Sequence, residues 1–315
     1  MSTSAAVSTV AVSTADSAGR SEPSTAVTAV QLAVRSAVPP KSAVVDASIQ
    51  TADGRVRAYH LYVPSGAITA TLPLLVALHG APGNEKQFEW TSRFDGIAEA
   101  NNFLVVYTDG VGTGPNGAVN RIWKGGSCCG VASRTDVDDV AFIARLVVSL
   151  QQAYRIDPHR LVAAGHSNGG ILAYRLACQI SNVFAGIGFQ WTSLEFAPCT
   201  PAQPVSLLHI HGTADQNIPI GGRVGQIGVS GVAFNPLLDG VHTIATADGC
   251  GTSPVDTTDA ANADLSLSLW HSCSDGTAVE FIKVAGAPHA WMGHPPVPGA
   301  GSSTPYQGLD SSVAI

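Results

Sequence analysis

The chain has 315 residues, room for one large domain or two small ones and enough to bury a core. Only 12% of residues are charged while 45% are hydrophobic, so Ser, Thr, Gly and Ala must build much of the surface. A formal charge of -7 without any Lys/Arg cluster argues against a nucleic-acid or anionic-membrane partner. No apolar run reaches the roughly 18 residues needed to cross a bilayer.

Residues 1–44 are Ser, Thr, Ala and Val without a stable amphipathic period, and Pro39-Pro40 stand near their end. The segment lacks the basic start and solid apolar stretch of an intact signal peptide, and is expected to be a disordered leader or linker ahead of one folded domain over 45–315. From there the punctuation becomes regular. Strands are predicted at Val56 to Val63, Leu74 to Leu78, Phe103 to Tyr107, Leu161 to Ala164, Ile187 to Gln190, Val205 to Ile210 and Val279 to Val284. The continuous apolar runs among them fit strands covered on both faces.

Helical spacing is clearest from Val137 to Tyr154, where Val140, Ile143, Ala144, Val147 and Leu150 form one stripe. Asp136, Asp138 and Asp139 crowd its start, where the helix dipole favours negative charge; without a loop of ligand spacing they do not predict a calcium site. A second helix is expected from Gly169 to Ile180. Alternating strands and helices imply an α/β fold with a mostly parallel central sheet, helices on both faces, and a ligand site at the carboxyl ends of the strands.

Between those two helices stands Gly165-His166-Ser167-Asn168-Gly169-Gly170, directly behind the apolar run Leu161 to Ala164. This is the strand, tight turn and helix of a nucleophile elbow, with Ser167 at the apex. A Gly-x-Ser-x-Gly match is weak alone in a chain with 33 glycines, so the partners decide. Such an elbow in an α/β-hydrolase order needs an acid and then a histidine downstream, each just past a strand. Asp215 follows the strand ending in His209-Ile210-His211-Gly212, and His289 follows the strand ending near Val284.

His209 and His211 are expected to be structural, since a histidine within a strand cannot easily swing to a serine on another loop. His166 should point away from Ser167. Asp275 is the alternative acid, and Asp109 is expected to stabilise a turn before Gly110. The oxyanion would be held by the amide of Asn168, after the serine, and by that of Ala81 in Leu78-His79-Gly80-Ala81-Pro82, because Pro82 has no N–H. Trp291, Trp191 and Trp123 are candidates to line an acyl or aromatic pocket. The Gly-rich stretch from Gly221 to Gly240 is a candidate lid.

Six cysteines form an even set without a CxxC pair, which favours disulfides in an oxidising compartment over zinc. Cys250 and Cys273 bracket a Ser/Thr/Asp-rich loop and are expected to pair. Adjacent Cys128 and Cys129 are not expected to bond to each other. Their partners would be Cys178 and Cys199, in an order left open. No metal and no cofactor is expected.

Taken in order, His79-Gly80, Tyr107-Thr108-Asp109-Gly110, Trp123 with Gly126-Ser127-Cys128-Cys129-Gly130, Asp138-Asp139-Val140, Gly165 to Gly170, His211-Gly212-Thr213-Ala214-Asp215 and Pro288-His289-Ala290-Trp291 resemble the esterase/polyhydroxybutyrate depolymerase family. This α/β-hydrolase group also contains feruloyl and acetylxylan esterases. The resemblance runs from about Val56 to Gly293. It implies a secreted serine esterase with Ser167, Asp215 and His289 as its triad, acting on a small, cell-wall-linked or polyester substrate. A silent binding module and a serine peptidase on the same fold are the alternatives.

Overall fold

A computed structural model of the chain describes residues 41–67, 71–114, 117–135, 137–227, 230–295 and 303–315. The expected leader lies outside these residues except for its last four, and there Ala43 already opens the first strand. In chain order the elements begin with β1 (Ala43–Gln50), β2 (Val56–Val63), β3 (Leu72–Leu78), α1 (Glu85–Ser92), α2 (Phe94–Asn101), β4 (Leu104–Thr108), β5 (Val111–Thr113) and β6 (Val119–Ile122). Next come α3 (Gly130–Ser133), α4 (Asp139–Ala153), β7 (Ile156–His166), α5 (Asn168–Ile180), β8 (Gly186–Gln190) and β9 (Ser206–Gly212). The last part holds β10 (Arg223–Val224), β11 (Ala233–Phe234), α6 (Leu237–Ala247), β12 (Val255–Thr258), β13 (Leu265–Trp270), β14 (Val279–Val284) and α7 (Ser311–Ala314).

Ten strands make one sheet in the order β1-β2-β4-β3-β7-β8-β9-β14-β13-β12. The six from β4 to β14 run parallel, and the two strands at each edge are antiparallel additions. Period-two alternation divides the core. Leu72, Leu74, Val76 and Leu78 of β3 pack with apolar residues of α4, α5 and α6, while Leu75 and Ala77 pack with Phe88 of α1 and Phe94 and Ala98 of α2. Helices therefore cover both faces, and the interior strands need apolar residues at consecutive positions.

The predicted strands are all present. Two further strands, β12 and β13, lie inside the Ser/Thr/Asp-rich stretch expected to be a loop. Leu265, Leu267 and Leu269 alternate with serines there, the pattern of a half-covered antiparallel strand. At the start of α4, Asp138 caps the helix by accepting the Ala141 N–H, but Asp139 turns inward. Its carboxylate meets Arg57 at 2.7 Å and accepts the Lys124 N–H, while the guanidinium lies 4.2 Å from the Phe142 ring centre. Asp139 is thus both an acidic residue of the first turn, as expected, and a buried ion-pair partner; Asp136 lies outside the described residues.

The cysteine expectation holds in one part and fails in another. Cys250 pairs with Cys273, but Cys178 pairs with Cys199, so neither is available to the vicinal cysteines. The end of α5 and the loop after β8 bring the Cys178 and Cys199 Cα atoms within 4.7 Å. Cys128 and Cys129, not expected to bond to each other from the geometry a disulfide prefers, are joined across a cis peptide.

Candidate active site

The carboxyl ends of β3, β7, β8, β9 and β14 gather the chemistry-bearing residues. Ser167 sits between β7 and α5 with φ 54° and ψ -119°, a left-handed conformation rare for a residue with a side chain. Its own N–H is held by the Gln190 carbonyl of β8, and its carbonyl accepts the first helical bond of α5 from Ile171. The two flanking glycines are required by close approach. A methyl at Gly165 would lie 2.5 Å from the Gly169 carbonyl carbon, and one at Gly169 would run into the Leu78 carbonyl of β3.

Asn168 opens α5, so its backbone N–H has no partner within the helix. Its side chain is fully committed: Oδ1 accepts the Trp123 N–H at 2.7 Å and Nδ2 donates to the Trp123 carbonyl at 3.1 Å. Across from it runs the His79-Gly80-Ala81-Pro82 turn, with a cis bond before Pro82. His79 is a clamp for this turn. Its Nδ1–H donates to the Gly80 carbonyl, its Nε2 accepts from Gly110 N–H, and its own carbonyl accepts from the Trp123 indole. Burial holds the imidazole pKa down at about 4, so the ring stays neutral.

Asp215 and His289 are brought together from separate loops. His289 Nδ1 donates to Asp215 Oδ2 at 2.9 Å, which leaves Nε2 as the acceptor. Asp215 Oδ1 accepts the N–H groups of Asn217 and Ile218 at 2.7 and 2.9 Å. Burial raises its pKa, but the His289 charge and the hydrogen bonds from His211 and His289 outweigh that and keep it well below the ordinary carboxylate range. Among the described residues Ser167 Oγ makes no hydrogen bond; the elbow and His289 meet through His166, whose ring centre is 5.4 Å from that of His289. Contacts of this kind commonly tighten only when substrate binds.

Asp275 is exposed in a turn before β14, at the opposite end of the sheet from Ser167, which removes it as the acid. Asp109 does more than hold a turn. It accepts the Glu85 N–H, meets Arg121 at 2.9 Å, and its carbonyl accepts from the buried Arg57. The tryptophans are not pocket walls: Trp123 and Trp191 are 0% exposed and Trp291 is 2% exposed. Each indole N–H is bonded inside the protein, to His79, Ala290 and Ser312 respectively. They back the site from behind, Trp191 against the His289 ring at 5.7 Å and Trp291 against the His166 ring at 5.8 Å.

The family described as esterase PHB depolymerase matches residues 57–204. Over that span the chain is similar to the esterase PHB depolymerase family. Among its relatives is feruloyl esterase B of Piromyces equi, 28% identical over 225 residues that cover 69% of this chain and 39% of that protein. The bifunctional acetylxylan esterase/xylanase XynS20E of Neocallimastix patriciarum is 26% identical over 246 residues, 75% of this chain and 31% of that one. The chain thus spans only about a third of the length of these two relatives. In structure it is similar to acetyl xylan esterase from Aspergillus awamori, with a TM-score of 0.57 and 13% identity over 79% of this chain and 94% of the other. That likeness is one of fold, an α/β-hydrolase with a mostly parallel sheet. Asp215 and His289 lie beyond the family-matched span, so the pair rests on geometry.

Two contacts of this candidate site escape the sequence. His166 packs between Trp291 and His289, with its pKa lowered to about 3 by burial and by the His289 charge beside it. His211, expected to be structural, lies 3.1 Å from the catalytic candidate Asp215. The four-residue spacing from His211, near the end of β9, to Asp215 in the following turn was the local signal. The Gly221 to Gly240 stretch contains the β10–β11 ribbon and the start of α6; Ile227 N–H bonds the Gln216 carbonyl, beside the Asp215 loop, while residues 228 and 229 lie outside the described residues. No helix among the described residues is long and apolar enough to cross a membrane.

Proposed function

We propose that this protein is a serine carboxylic-ester hydrolase that works through an acyl-enzyme. The observation that carries the reading is the 2.9 Å bond between His289 Nδ1 and Asp215 Oδ2, formed at the same end of the sheet as the left-handed Ser167. Ser167 Oγ attacks the ester carbonyl carbon as His289 Nε2 takes its proton, and Asp215 stabilises the imidazolium without itself becoming protonated. The Asn168 and Ala81 amides face the developing oxyanion. His289 then gives its proton to the leaving alcohol oxygen, and the same steps with water release the acid and restore Ser167.

The substrate belongs to acyl esters carried on plant cell-wall polymers or on a small or polymeric alcohol. Support comes from the named activities of the feruloyl and acetylxylan esterase relatives. Three disulfides support an oxidising, extracellular place of work. The test is a panel of p-nitrophenyl acetate to octanoate, methyl ferulate, acetylated xylan and amorphous polyhydroxybutyrate, run on the wild type and on Ser167→Ala. Hydrolysis of at least the short esters, lost in Ser167→Ala, is expected. Undiminished turnover in that variant would overturn the mechanism.

A further inference from the structure

The acid of the proposed triad is gripped by a second histidine. His211 is the penultimate residue of β9 and is 0% exposed. Its Nε2 lies 2.9 Å from the Ile218 carbonyl and 3.1 Å from Asp215 Oδ2, the same oxygen that faces His289. Both neighbours are acceptors, a carbonyl and a carboxylate, so Nε2 must carry the hydrogen and share it between them. Nδ1 is then the lone-pair nitrogen, and it is buried without a hydrogen-bond partner among the described residues. An apolar side chain would fill this space without stranding a ring nitrogen. What the imidazole adds is the Nε2 hydrogen.

That hydrogen closes a small circuit around the acid. Ile218 donates its N–H to Asp215 Oδ1 and offers its carbonyl to His211, so both polar groups of one peptide residue are fixed. Asp215 is thereby held through both oxygens, by Asn217 and Ile218 at Oδ1 and by His211 and His289 at Oδ2. Trp191 wedges the two rings apart: its ring centre lies 5.3 Å from that of His211 and 5.7 Å from that of His289, and its indole N–H is anchored on the Ala290 carbonyl next to His289.

We propose that His211 is a positioning residue for the esterase reaction, using its Nε2 hydrogen to lock the rotamer of Asp215 and the Asp215 to Ile218 turn so that Oδ2 presents to His289. The proposal rests on the serine-esterase reading above. His211 acts on the acid and not on substrate, so its loss should lower kcat and leave KM in place.

Three proteins and one spectrum separate the outcomes. With p-nitrophenyl acetate, His211→Leu should lose about 10- to 100-fold in kcat with KM unchanged, the scale of a hydrogen bond to a charged group. His211→Gln, which can return an N–H donor at similar reach, should recover most of that loss. A packing role predicts the reverse order, with Leu at least as active as Gln, and would overturn the proposal. Should His211→Leu fail to fold, long-range proton–nitrogen spectra of the wild type still decide: the His211 hydrogen is expected on Nε2, and a hydrogen on Nδ1 overturns the assignment. Ser167→Ala, measured alongside, tests the underlying reading. An inactive Ser167→Ala with a fully active His211→Leu defeats only the positioning role, whereas an active Ser167→Ala defeats the esterase mechanism itself.

Discussion

At the residue scale, the identity of the acid is the sharpest question, because two carboxylates were candidates and only one reaches His289. Asp215 is buried and bonded to His289 Nδ1, while Asp275 stands exposed before β14. Asp215→Asn should lower kcat by about 10,000-fold while the fold is retained, since an amide can turn His289 into the wrong tautomer. Asp275→Asn should leave kcat within about twofold; ester hydrolysis of the two variants, with circular dichroism as the folding control, checks both. Ser167, Asp215 and His289 could be picked out as candidates because each follows a local signal, a strand ending in a turn. The tryptophans misled for the opposite reason. Nothing in the neighbourhood of Trp123, Trp191 or Trp291 says whether an indole faces a groove or closes the back of one, and here all three close it.

At the scale of elements, the elbow depends on how tightly α5 approaches β3. Gly169 stands where any side chain would meet the Leu78 and His79 carbonyls, so Gly169→Ala must push the helix away from the strand. Such overpacking costs about 1 to 3 kcal/mol, and here it also displaces Ser167. A lowered urea midpoint together with a steep loss of kcat is the expected result. The Cys178–Cys199 bond ties the end of α5 to the loop beyond β8 across 21 residues. Removing it by Cys178→Ser with Cys199→Ser should lower stability by about 3 kcal/mol, read by thermal melting under non-reducing conditions. The pairing itself was not readable, because closeness of Cys178 to Cys199 is a product of the chain returning over the sheet. Interior strands were readable from apolar runs alone. The edge strands β1, β12 and β13 are half-covered at most, and their mixed composition looked like leader or loop.

At the scale of the whole molecule, three buried histidines make stability fall with acid, and two buried carboxyls, Asp95 raised to about 6 and Asp109 raised to about 8 by burial, act in the opposite sense. Burial lowers the pKa of His79 from 6.5 to about 4 and that of His166 from 6.5 to about 3, and takes His209 well below 6.5. As pH falls below 6.5 the unfolded chain binds protons that the folded chain refuses. The contribution of these histidines is therefore complete above that pH and is lost progressively as pH falls from 6.5 toward 4. Each such histidine contributes a slope of about 1.4 kcal/mol per pH unit. His209 bonds Tyr174 deep in the core, and His209→Phe should reduce the slope by about one proton even though it leaves the Tyr174 hydroxyl unpaired. Denaturant melts between pH 7.5 and 4.5 would measure it, and an unchanged slope would remove His209 from the account.

The sequence by itself determined the alternation of strands and helices, the elbow, and the chain order of serine, acid and histidine, because each is written in contiguous residues as an apolar run, a glycine spacing or a turn after a strand. Tertiary structure decided what lies between those segments. It turned the tryptophans into the back wall of the site, chose the Cys178–Cys199 pair, drew Asp139 into a buried ion pair with Arg57, and set His211 against Asp215. The physical reason is that burial and pairing belong to contacts between residues far apart in the chain. They come into being only when the sheet brings the ends of its strands together.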